Sequence, residues 1–172
     1  MKSKRLNNLG KIDRDKTLNF TWDNKKLSGF EGDSLASALL ANNIGIVGRS
    51  FKYHRPRGIF SSGVEESGAL VTIGSKDRRD PNVRATTQEL FDGLKASGQN
   101  AFPNVNFDLG GINNYIGRFF AAGFYYKTFM GIPPFEWGKG TTIWMLFEKL
   151  IRKAAGMGSA SRLPDPDSYE HA

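Results

Sequence analysis

Leu18, Phe20 and Trp22 alternate with Asn19 and Thr21, and this period of two constrains the fold more than any other feature. It puts large apolar side chains on one face of a strand and polar ones on the other, as a half-buried sheet requires. Asp23-Asn24 is turn chemistry, so Lys25 to Phe30 returns as the second strand of a hairpin. Asp33 can cap a helix that starts at Ser34. Leu35, Ala36, Leu39 and Leu40 then form an apolar stripe at helical spacing. Asn42-Asn43 and Gly45 end that helix, because both residue types tolerate left-handed backbone. Ile44, Ile46 and Val47 lead out of it.

The rest of the chain carries weaker signals. Ala69 to Ile73 is a short apolar run with β-branched residues and reads as a strand. Gly74 to Pro81 reads as a polar connection, with Lys76-Asp77-Arg78-Arg79-Asp80 as a hydrophilic hairpin tip rather than a site. Asn82 to Thr87 is a further short strand, and Leu90-Phe91 is either a last strand or a turn. Ser97-Gly98-Gln99-Asn100 and Pro103-Asn104 are loop-like. Ile112 to Tyr126 is rich in aromatics and interrupted by Gly117 and Gly123, which predicts broken helical pieces. Thr141 or Thr142 caps a helix with Ile143, Leu146, Phe147, Leu150, Ile151 and Ala154 on one face. Gly156 stops it, and Leu163-Pro164-Asp165-Pro166-Asp167 is linker chemistry. Hairpin, helix and loop in that order predict an α+β chain that opens as a β-grasp, or ferredoxin-like, module. A mainly helical connector follows. The expected division is an N-terminal arm over 1–17, the module over 18–95, an aromatic-rich docking segment over 96–156 and a linker over 157–172.

Between the helix and the strand read at Ala69 to Ile73 lies Gly48-Arg49-Ser50-Phe51-Lys52-Tyr53-His54-Arg55-Pro56-Arg57-Gly58. Glycines bracket it and Pro56 stiffens it. Arg49, Lys52, Arg55 and Arg57 repel one another unless an anion, a carboxylate or solvent intervenes. A solvated basic loop is the plain reading. With the aromatics interleaved, a binding loop formed by Arg49, Lys52, Tyr53, His54, Arg55 and Arg57 is the functional one. Of the 172 residues, Lys and Arg number 24 against 17 Asp and Glu, a net charge of +7. That balance suits an acidic partner or an anionic cofactor as well as nucleic acid. No nucleic-acid motif accompanies it, so nucleic acid ranks low.

The chain has no cysteine, which excludes disulfides, thiolate metal sites and cysteine nucleophiles. His54 and His171 are far apart in sequence, which argues against a histidine metal site. No apolar h-region follows the basic start, and no apolar run reaches the length of a membrane span. A soluble, cytoplasmic protein is expected. Glu65-Glu66 sits in a Gly/Ser-rich stretch and reads as solvated. Gly156-Met157-Gly158 follows a helix, with Ser161 at the third glycine position of a dinucleotide fingerprint, so it reads as a helix stop. The aromatic run reads as a docking surface rather than a stacking platform.

Several stretches, in order, resemble the alpha subunit of heterotetrameric sarcosine oxidase. They are Arg5 to Asp13, Gly32 to Ala41, the basic loop, Pro81-Asn82-Val83-Arg84-Ala85-Thr86, Ala122 to Met130 and Leu150 to Gly156. The resemblance implies a module similar to a [2Fe-2S] ferredoxin domain, leading toward a dinucleotide-binding domain. Related subunits hold the cluster with four cysteines. Here Ser61, Glu66, Ala69 and Thr86 stand roughly at those positions. The complete enzyme of that family oxidises sarcosine with FAD, FMN and NAD and passes a one-carbon unit to tetrahydrofolate. By resemblance, the partners are the remaining domains of the alpha subunit and the other sarcosine oxidase subunits. The chain then looks like an N-terminal structural and interface module, inactive alone. The alternative, from another class, is a free-standing ferredoxin-like adaptor that binds an acidic partner or RNA through the basic loop. The isolated chain is expected to expose apolar surface, with Leu18 to Phe91 better protected from hydrogen exchange than Tyr115 to Ile151.

Overall fold

The computed structural model describes residues 5–6, 9–76, 78–116 and 152. Strand β1 (Asp13–Trp22) turns through Asp23-Asn24 into β2 (Lys25–Glu31). Both turn residues have positive φ, 45° and 67°, as a tight hairpin of the primed type requires. β1 starts within the arm expected over 1–17: Asp13 pairs with Glu31, and after a bulge the register runs regularly from Thr17↔Phe30 to Trp22↔Lys25. Phe20 and Trp22 are buried, as the alternation predicts.

Helix α1 (Leu35–Ala41) follows, but its cap is Ser34, not Asp33. The Ser34 hydroxyl accepts the Ser37 N–H at 3.2 Å. Asp33 is held elsewhere. Its carboxylate accepts the Phe30 N–H at 2.9 Å, the Ser37 hydroxyl at 2.7 Å and the Arg5 guanidinium. Asn42 closes the helix, and Asn43 takes the left-handed conformation with φ 62°.

The basic stretch is a hairpin rather than a loop: β3 (Ile46–Arg49) pairs antiparallel with β4 (Pro56–Gly58). β5 (Leu70–Ser75) and β6 (Arg78–Arg84) form another hairpin, so the polar connection expected over Gly74 to Pro81 is mostly strand. Pro81 is tolerated because β6 is an edge strand, where a missing N–H costs no ladder bond. Leu90-Phe91 is neither strand nor turn: the turn falls on Asp92-Gly93, where the Leu94 N–H donates to the Phe91 carbonyl, and Leu90 is buried in the core cluster.

The last strand, β7 (Lys95–Gly98), corrects the loop reading of Ser97-Gly98. It is the central strand of a five-stranded sheet ordered β2-β1-β7-β5-β6. β7 runs parallel to β1 and antiparallel to β5, so the sheet extends past the boundary expected at residue 95. Gly98 is required for close approach: a Cβ there would lie 2.1 Å from the Val105 side chain and 3.1 Å from the Val47 carbonyl. Phe20, Trp22, Leu35, Leu39, Val47, Val71, Leu90, Leu94 and Ala96 form the core between sheet and helix. A mixed sheet with one helix packed on it is the β-grasp, ferredoxin-like module expected.

Beyond β7, the described part of the connector is a 3-10 turn (Leu109–Ile112) and a one-turn α2 (Asn113–Ile116). Phe102, Phe107, Leu109, Ile112 and Tyr115 are exposed there. The rest of the aromatic run, the amphipathic helix from Ile143 to Ala154 apart from Arg152, and the acidic linker lie outside the described residues. Among the described residues, no helix is long and apolar enough to cross a membrane.

Candidate functional site

The six residues singled out in the basic stretch lie together on the β3–β4 hairpin, but they do different work. Arg49 turns inward. Its Nε and Nη2 donate to the Val105 carbonyl at 2.9 and 2.7 Å, and Nη1 donates to the His54 carbonyl at 3.3 Å. The Arg49 N–H donates to the Gln99 carbonyl, so the hairpin is sewn to the strand end after β7. His54 sits in the turn with φ 53°, and the Asp108 carboxylate accepts from its Nδ1 at 2.7 Å. Burial pushes the Asp108 carboxyl up, but the Phe102 N–H, His54 and the Gly110 N–H outweigh it and hold it below the ordinary carboxylate range. Gly110 leaves room for the ring, because a Cβ there would lie 2.2 Å from His54 Cε1. Lys52 Nζ and Arg55 Cζ each lie 4.9 Å from the centre of the Tyr53 ring, a cation–π geometry that offsets part of their mutual repulsion. Arg55 and Arg57 are exposed, and among the described residues neither forms an ion pair.

The residues that fasten this hairpin were not legible individually. Asp108 lies 54 residues from His54 and carries no motif. His54→Ala is expected to cost about 1.5–3 kcal/mol, the scale of one hydrogen bond to a charged acceptor. The check is the urea midpoint at unchanged slope; an unmoved midpoint would mean that Arg49 alone holds the hairpin.

A second centre lies in the turn-rich segment between β4 and β5. Glu65 is exposed, as expected, but Glu66 is only 2% exposed, against the solvated reading. The cause is local: backbone N–H groups of the same segment close on its carboxylate. Phe60 and Ser61 donate to Oε2 at 2.6 and 2.7 Å, and Gly68 and Ala69 donate to Oε1 at 2.5 and 3.2 Å. Burial pushes the Glu66 carboxyl up, but the four N–H groups prevail and bring it down to about 2. Its folded value is therefore below the unfolded one, so its contribution to stability is complete above about pH 4.3 and is lost as pH falls toward 2. Thr86 closes the segment, its hydroxyl donating to the Gly63 carbonyl at 2.8 Å.

Mixed sheet, packed helix and a folded segment between β4 and β5 define a ferredoxin-like module. Residues 15–101 match the family of 2Fe-2S iron-sulfur cluster binding domains, and the chain belongs to that family. More particularly, it is a homologue of sarcosine oxidase subunit alpha. It is 53% identical over 170 residues to that protein from Rhizobium meliloti (strain 1021), covering 99% of this chain and 16% of the relative. It is 48% identical over 90 residues to the one from Corynebacterium sp. (strain U-96), covering 51% of this chain and 9% of the relative. The chain thus spans less than a fifth of the length of these curated relatives. Among solved structures, L-proline dehydrogenase from P.horikoshii is similar over 51% of this chain and 16% of its own, with 27% identity and a TM-score of 0.41.

The family name implies a cluster, and the donor set does not fit one. Four thiolates hold a [2Fe-2S] cluster of this kind, and the sequence contains no cysteine. Among Ser61, Glu66, Ala69 and Thr86, one side chain is a methyl group. The Glu66 carboxylate is already bound by four N–H groups. Among the described residues, no three His, Asp or Glu side chains gather as metal ligands.

Proposed function

We propose that this chain is the N-terminal structural and interface module of a sarcosine oxidase alpha subunit. The complete complex would oxidise sarcosine with FAD, FMN and NAD and transfer a one-carbon unit to tetrahydrofolate. In this reading the catalytic centre of the complex lies outside this stretch. The observation that carries the reading is 53% identity across 99% of the chain to a sarcosine oxidase subunit alpha. In this reading the module docks onto the remaining domains of the alpha subunit and onto neighbouring subunits. Phe102, Phe107, Leu109, Ile112 and Tyr115, all exposed within one short segment after β7, support such docking, since exposed apolar surface of this kind marks interaction sites.

The basic hairpin supplies the charged part of the contact. Arg49 is occupied by backbone carbonyls, which leaves the exposed Arg55 and Arg57 as the pair facing a nucleotide phosphate or an acidic subunit surface. Introducing Arg55→Glu with Arg57→Glu into the assembled enzyme is expected to lower the yield of intact complex or its flavin and NAD content by at least about tenfold, since about 1.4 kcal/mol of lost attraction already suffices for that and like charges across an interface cost more. Size-exclusion chromatography with cofactor quantitation reads both. Wild-type assembly and cofactor content in the double variant would reduce the hairpin to a solvated surface.

A further inference from the structure

The segment from Ile59 to Ala69 is folded around one of its own anions. Glu66 is buried, yet among the described residues no cation pairs with its carboxylate. Arg84 reaches only its backbone carbonyl, at 3.2 Å. An isolated carboxylate out of water is strongly unfavourable without compensation. The compensation comes mainly from two pairs of successive backbone N–H groups, Phe60 with Ser61 on one oxygen and Gly68 with Ala69 on the other. The Ser61 hydroxyl adds a long contact at 3.4 Å. Convergent successive N–H groups form a concave nest for an anion, the device that recurs at phosphate and iron–sulfur sites. Gly68 permits the close approach: a Cβ there would lie 2.8 Å from the Gly58 carbonyl and 3.1 Å from Glu66 Oε1.

The place of this nest in the fold gives it meaning. The resemblance sets Ser61, Glu66, Ala69 and Thr86 against the four cluster cysteines. Three of the four are parts of the nest, two as donors and one as the anion. The fourth closes the same segment through Gly63. We propose that the Glu66 carboxylate is a built-in substitute for the anionic cluster, occupying the N–H nest and ordering the segment between β4 and β5 without metal. The nest is therefore an anion site with a covalently attached ligand. Emptied of that ligand, it would accept a free small carboxylate. This inference rests on the family resemblance and on the nest geometry, and not on the proposed role of the chain within the complex.

The test is thermal unfolding of the 172-residue chain with sodium formate as the probe and sodium chloride as the ionic-strength control. Glu66→Ala is expected to lower Tm by about 10 °C, the scale for losing charge-assisted bonds in a domain of this size. Formate should return part of that loss while leaving the unmodified chain unmoved. Glu66→Gln should also fall in Tm, because its amide N–H₂ faces donors, and formate should not rescue it, because the side chain still fills the nest. A Glu66→Ala chain as stable as the parent, or one that formate shifts no more than the parent, would overturn the proposal. If Glu66→Ala does not fold, the unmodified chain still decides. The Glu66 side-chain carboxyl carbon should titrate near 2, with the amide protons of Phe60, Ser61, Gly68 and Ala69 following it. A midpoint near the ordinary value of about 4.3 would sink the idea.

Discussion

Asp33→Ala is expected to destabilise the chain by about 3 kcal/mol, the low end of what breaking a buried ion pair costs. Asp33 is 1% exposed and ties three parts of the module together. Its carboxylate takes the Arg5 guanidinium from the N-terminal arm, the Phe30 N–H from the end of β2 and the Ser37 hydroxyl from the first turn of α1. Alanine removes that partner from all three donors and takes the anion away from the Arg5 guanidinium, which lies 5.2 Å from the centre of the Phe30 ring. The low end applies because the Arg5 side chain keeps 16% exposure and can recover some water. The pH dependence follows the same geometry. Burial pushes the Asp33 carboxyl up, but Arg5, Ser37 and Phe30 together hold it below the ordinary value. A lowered folded value means stability that is complete above the unfolded pKa of about 3.9 and is lost as pH falls through the folded value. Urea midpoints of parent and variant at neutral pH, repeated down to strongly acid pH, should converge at the acid end. Midpoints separated by the same amount at every pH would show that Asp33 acts through packing rather than charge.

Phe20→Ala is expected to cost about 3–5 kcal/mol. Phe20 lies on β1 between β2 and the central β7, within the cluster that includes Trp22, Leu35, Leu39 and Leu94. Such a core, close-packed on both sides, collapses little around a deletion, so the cavity adds to the lost transfer energy. The measurement is the urea midpoint at constant slope. A loss under about 1 kcal/mol would mean that the β1 face is loosely packed and the sheet is held mainly elsewhere.

The parts of the fold that the sequence revealed are those whose signal is local. The alternation of Leu18, Phe20 and Trp22, the Asp23-Asn24 turn and the apolar stripe of α1 each depend on neighbours a few residues away. β7 was not legible because Lys95-Ala96-Ser97-Gly98 is small and polar. Its strand character comes from being gripped on both edges by β1 and β5. Buried Leu94 and Ala96, two positions apart, were the trace it left. The cap was misplaced by one residue because Arg5, 28 positions upstream, claims Asp33. Within the candidate site, clustering of the cations was legible, but their sorting was not. Arg49 faces inward because the Val105 carbonyl is there to receive it, and nothing near Arg49 in sequence announces that. Glu66 looked solvated because side-chain composition carries no record of where backbone N–H groups point. Gly68, close beside it, was the one hint that the backbone comes near.

The parallel pairing of β1 with β7 also sets a timetable for the growing polypeptide. Thr21 and Trp22 must wait for Lys95 and Ala96 before the middle of the sheet exists. During that interval β1 is paired with β2 on one side and open on the other. At roughly 5–20 residues per second, the wait lasts several seconds on the ribosome. An open strand edge is a template for mispairing with other chains, and contacts this distant in sequence form slowly. The nascent module is therefore most vulnerable after α1 has emerged and before Gly98 has. A polypeptide released in that window has a hairpin and a helix but no means of closing its sheet.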